Sequence, residues 1–78
     1  MISDKELLDD ISVKRKEARA YNHLAKGYEI LANIPENWQR RSDFLYQSNS
    51  NKKLETECRD FLKKLLTLAK ERKLDASQ

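Results

Sequence analysis

The sequence predicts an all-α protein, a helical hairpin or three-helix bundle with coiled-coil-like packing, completed by oligomerisation. Three observations predict it. One Gly and one Pro in 78 residues, with 38% hydrophobic and 37% charged side chains, match the composition of long helices and give strands little to work with. Apolar residues recur at steps of three and four over two long segments. Finally, a chain this short buries only roughly 60% of the surface its unfolded form exposes, so its own core is thin. Small domains make good that shortfall with disulfides, a metal or a partner chain. A single cysteine, Cys58, excludes an internal disulfide, and there is no Cys/His cluster to suggest structural zinc. Association remains, with a dimer as the expected form.

Residues 1–78 read as a single helical domain. Ser3 is the N-cap of helix 1, Glu6 stands where it closes a capping box, and Ile2 and Leu7 occupy the staple positions. Leu7, Leu8, Ile11, Ala18, Tyr21, Leu24, Ala25, Tyr28 and Leu31 then form an amphipathic stripe, so helix 1 runs from about 4 to 32. Gly27 costs roughly 1 kcal/mol relative to Ala in mid-helix and is read as a close crossing or a bend. Asn33-Ile34-Pro35 ends the helix, because the residue before a proline is pushed out of the α region. Pro35 and Glu36 suit the first turn of helix 2, about 35 to 47. The Ser48-Asn49-Ser50-Asn51 tract is expected to be a loop, since its side chains compete for backbone bonds. Helix 3 follows from about 51 to 73, with Leu54, Cys58, Phe61, Leu65 and Leu68 as a coiled-coil-like seam.

The segment 33–47 holds the only Pro, the only Trp and three of the six aromatic residues, together with Arg40 and Arg41. Trp, Tyr and Arg dominate binding hot spots. Treated as one helix, the segment puts Trp38 and Leu45 at the centre of one face with Tyr46 beside them. Phe44 falls on another side with Arg40 and Gln47, and Arg41 lies on the border. Trp38, Leu45 and Tyr46 are therefore expected in the core, packed on helices 1 and 3. Phe44, Arg40, Arg41 and Gln47 become the candidate partner-binding patch.

The net charge of +3 raises a second possibility, binding of nucleic acid through Lys14, Arg15, Lys16 and Arg19. Acids at helix starts, bases at the end of helix 3 and the acid-first pairs Asp10/Lys14, Glu36/Arg40, Glu55/Arg59 and Asp60/Lys64 read instead as solvated helix faces. His23 and Cys58 stand alone, with no glycine-rich phosphate loop. No enzyme, catalytic residue, metal, cofactor or small-molecule substrate is expected. No apolar run approaches the ~18 residues of a membrane span, and the start is acidic, so a cytoplasmic location is the default. The expected function is that of a non-enzymatic protein-interaction module, a small regulator, inhibitor or adaptor that binds another protein or itself. Nucleic-acid binding is the alternative.

Overall fold

The computed structural model describes residues 2–76, which form two long α-helices packed side by side. Helix α1 spans Asp4–Ala32, a 3-10 turn spans Pro35–Arg40, and helix α2 spans Arg41–Glu71. Contacts pair Tyr28 with Phe44, Ala25 with Ser48, Asn22 with Glu55 and Asp4 with Arg72. The helices therefore run antiparallel, and the hairpin is a rod of 52 × 17 × 14 Å.

Three of the four α-helix ends are closed by their own chemistry, and the start of α2 has no side-chain cap. Ser3 is extended at φ −75°, ψ 162°, and its Oγ accepts the Glu6 N–H at 3.1 Å, so the serine half of the expected capping box forms. At the far end of α1, the Asn37 side chain donates to the Leu31 carbonyl at 3.0 Å, satisfying one of the acceptors that a helix leaves open. Helix α2 ends in a Schellman turn. Leu74 N–H reaches Ala69 O at 2.9 Å, Lys73 N–H reaches Lys70 O at 3.0 Å, and Lys73 takes the left-handed conformation at φ 59°. Arg72 then donates to the Ile2 carbonyl at 2.8 Å and pairs with Asp4, tying the two free ends together.

The seam follows one heptad series per helix. On α1 it runs through 7, 11, 14, 18, 21, 25, 28 and 32, with Leu7, Ile11, Ala18, Ala25 and Ala32 buried. On α2 it runs through 44, 48, 51, 55, 58, 62, 65 and 69, where Phe44, Ser48, Asn51, Cys58, Leu62, Leu65 and Ala69 are buried. Alternating steps of four and three keep a seam facing one partner helix. Large aliphatic side chains cluster at the free end, where Leu7, Ile11, Leu62 and Leu65 pack with Ala69, and Phe44 on Tyr28 fills the turn end. Between the two, the seam is small and polar. Ser48 Oγ donates to the Ala25 carbonyl at 2.9 Å, a bond from one helix's side chain to the other's backbone that requires the small residues there.

Two expectations change at this level. Residues 48–51 are helix rather than loop, so the division into helices at about 35–47 and 51–73 gives way to a single α2. The polar side chains find their bonds inside the hairpin: Ser48 on Ala25, and Asn51 Nδ2 on Gln47 O at 2.8 Å. Packing and satisfied hydrogen bonds thus override the local preference for a turn.

The second change inverts the expected roles of Trp38 and Phe44. Trp38 is 72% exposed and Tyr46 and Leu45 are exposed with it, whereas Phe44 is 9% exposed and stacks on Tyr28 with ring centroids 6.3 Å apart. The cause is a break in helical phase. Asn37 at φ −95°, ψ 15° and Arg40 at φ −106°, ψ 3° leave the α region, so angles counted from Trp38 do not carry into α2. Gly27, for its part, lies inside α1 with nothing within 4 Å of where a Cβ would stand, and marks no close crossing in the hairpin.

Candidate interaction surfaces

A two-helix hairpin has two broad sides, and here they differ in chemistry. Adjacent residues leave the seam on opposite sides: Tyr21 and Asn22 on α1, Cys58 and Arg59 or Phe61 and Leu62 on α2.

One side is apolar. A groove there is lined by Lys14, Glu17 and Tyr21 of α1 and by Leu54, Glu57, Cys58 and Phe61 of α2. Three and seven residues beyond Tyr21, on the same stripe, Leu24 and Tyr28 line a second hollow with His23, Gly27 and Leu31. Two of these sets have one geometry. Leu24, Gly27, Tyr28 and Leu31 stand at i, i+3, i+4 and i+7, as do Leu54, Glu57, Cys58 and Phe61. Four residues in that spacing make the hole that accepts a side-chain knob from a facing helix. The missing side chain of Gly27 deepens the first hole. Leu24 at 49% and Phe61 at 47% exposure are large apolar groups that the hairpin leaves half uncovered, and Leu31 and Leu54 accompany them.

Electrostatics on this side are muted. Lys14 bonds to Glu17 at 3.1 Å and lies 5.4 Å from the Phe61 ring centroid; the bond to Glu17 raises its pKa. Cys58 is buried, and desolvation pushes its thiol up despite the opposing charge of Lys14. A protonated thiol is a poor nucleophile, so this hollow offers shape rather than reactivity.

The other side is basic. Arg15, Arg19, Asn22, His23, Arg59 and Leu62 line a groove of about 450 Å³. Glu55 is the organising acid. It accepts Arg59 Nε at 2.8 Å and Nη2 at 2.7 Å, and Asn22 Nδ2 at 3.2 and 3.3 Å. The Arg59 bond, then the Asn22 bond, hold its carboxyl below the ordinary range. Glu55 with Arg59 is the one expected acid-first pair that forms among the described residues. Lys14 turns to Glu17 instead of Asp10, and Arg40 lies over the Phe44 ring, 4.9 Å from its centroid.

The candidate residues therefore scatter. Of the proposed patch, Phe44 faces α1 under Arg40, while Arg40, Arg41 and Gln47 are exposed around it. Of the basic set, Arg15 and Arg19 meet in the groove with Arg59, Lys14 belongs to the apolar side, and Lys16 is exposed on α1. Leu24, Leu31, Leu54 and Phe61 were expected in the core stripes, yet they face outward. Their signal is a second heptad series, at 24/31 and 54/61/68, one step away from the buried one. An apolar arc that wide exceeds what a single two-helix seam covers. Trp38, Tyr46, Ile30 and Ile34 add exposed apolar area at the turn end.

Among the described residues no group of His, Cys, Asp and Glu could hold a metal ion, and no helix is long and apolar enough to cross a membrane. Comparison with protein-family models, curated proteins and solved structures finds no match.

Proposed function

We propose that the protein is a non-enzymatic interaction module whose apolar side docks helices, and that the first occupant is a second copy of the same chain, giving a four-helix bundle. The observation that carries this reading is the pair of unfilled knob-accepting holes beside exposed Leu24, Leu31, Leu54 and Phe61. A second copy supplies both knobs and holes in the same heptad phase, the requirement for a self-complementary two-fold interface. Size agrees as well. The 52 × 17 Å side projects roughly 900 Å², and a stable interface takes about 800 Å² from each partner. The hairpin's own core is small and polar through its middle, where Ala18, Ala25, Ser48 and Asn51 line the seam, so burial of this side adds the stabilisation that a short chain lacks.

In such a module a regulator, inhibitor or adaptor acts by offering or withholding the same face to a target helix. Phe44, Arg40, Arg41 and Gln47 then belong to the turn end, with Phe44 supporting the fold and the exposed polar groups available at the rim. Light scattering on the eluting protein tests the proposal. Twice the 9.2 kDa monomer mass is expected, and Leu24→Asp or Phe61→Asp should return the mass to that of a helical monomer. A wild-type protein that stays monomeric at high concentration would refute self-docking. So would a dimer untouched by both substitutions.

A further inference from the structure

We propose that the basic side of the hairpin binds the phosphodiester backbone of a nucleic acid, through Arg15, Arg19 and Arg59 with Lys26 and Lys52 alongside. This second surface is independent of the apolar one. Three guanidinium groups line one groove with His23 and Asn22, an arrangement that concentrates positive charge unless an anion joins it. The acids next to it are already engaged. Glu55 takes Arg59, with Lys26 close enough to help hold the carboxyl ionised, and Glu29 takes Lys52 at 3.6 Å. Arg15, Arg19, Lys26, Lys52 and Arg59 against Glu29 and Glu55 leave a surplus of three positive charges, equal to the formal charge of the whole chain. Arg15 and Arg19 form no ion pair among the described residues.

Geometry selects the kind of anion. Arg15 and Arg19 are one turn apart, about 6 Å along α1, and Arg59 faces them from α2, so the donors form a track and do not converge on one point. Arg59 is held by Glu55 through Nε and Nη2, which leaves its remaining terminal nitrogen for a ligand. A row of exposed Arg and Lys suits a repeating phosphate backbone contacted without base readout. A lipid surface would need apolar side chains beside the bases, and the one in this groove, Leu62, is buried in the seam.

The test compares arginines inside the groove with Lys16, a sequence neighbour of equal charge that lines neither groove. Fluorescence anisotropy at ~50 mM salt, followed by salt titration, would measure binding of labelled single-stranded and duplex oligonucleotides. Wild type should bind with affinity falling linearly on a log–log salt plot. Arg15→Gln and Arg19→Gln should each weaken binding to every sequence and lower the slope by about one. Lys16→Gln, at an exposed base of α1 that lines neither groove, should change neither, and Arg15→Lys should keep the wild-type slope. Circular dichroism checks that each variant stays helical, and the two arginine variants stand in for one another if either fails to fold. Absence of binding would overturn the proposal. So would an equal loss in Lys16→Gln, which would mean net charge alone is felt, or preferential binding to phosphatidylglycerol vesicles over oligonucleotides.

Discussion

Truncating Phe44 and Trp38 to alanine separates the aromatic residue that holds the hairpin from the one that does not. Phe44 is 9% exposed, stacked on Tyr28 and covered by Arg40. Loss of a buried phenylalanine side chain costs about 3 to 5 kcal/mol, and the lower figure suits this site at the end of the seam, where neighbours can relax. Trp38 buries about a quarter of its surface, roughly 60 Å² of a large aromatic side chain, so its removal should cost no more than about 1.5 kcal/mol. In a domain of this size each kcal/mol moves the melting temperature by about 4 to 8 °C. Thermal melts followed by circular dichroism at matched concentration should therefore show a drop of at least about 12 °C for Phe44→Ala. Trp38→Ala should fall by less than about half of the drop seen with Phe44→Ala. Equal losses would refute the phase break at Asn37 and Arg40, because they would place both rings in one core.

In a Leu24→Asp background that keeps the chain monomeric, Gly27→Ala should raise stability by about 0.5 to 1 kcal/mol in denaturant titration, since Gly27 is mid-helix and nothing in its own chain stands within 4 Å of the added Cβ. Ala25→Leu should cost about 1 to 3 kcal/mol in the same titration, by forcing apart helices that Ser48 bonds across at 2.9 Å. Acid should weaken the hairpin through Glu55. Because its folded pKa is depressed, its contribution is complete above the ordinary glutamate range and is lost as pH falls through the lower folded value. Melts over that acid window should show a shallower decline for Glu55→Gln than for wild type.

Much of the hairpin is legible in the residues themselves. The Ser3 cap, the run of α1 to Ala32, the stop before Pro35 and the helical character of both long segments follow from local chemistry that tertiary contacts reinforce. Residues 48–51 are illegible for the converse reason. Serine and asparagine favour turns by bonding to nearby backbone, and only a helix already at close range offers Ser48 the Ala25 carbonyl instead. The aromatic assignments at 38 and 44 depend on a phase that two non-helical residues reset, and no periodicity within the segment reveals that reset.

The two sides are legible only once the pairing is known. Apolar residues at 54, 58, 61, 65 and 68 make a plausible seam by themselves, yet the helix turns so that 58, 62, 65 and 69 face α1 and 54 and 61 face out. Polar groups at 48, 51 and 55 conceal the true series, and the small Ala18, Ala25 and Ala32 conceal its counterpart. The basic groove is assembled from residues some forty positions apart, Arg15 and Arg19 with Arg59, so the cluster at 14–19 gives half of it.

The central claim, that the apolar side is where a second chain docks, is tested most directly by intermolecular nuclear Overhauser effects in a sample mixing isotope-labelled and unlabelled protein. Contacts between chains are expected at Leu24, Leu31, Leu54 and Phe61. Their absence from these residues, or contacts confined to Ile30, Trp38 and Tyr46 at the turn end, would contradict it.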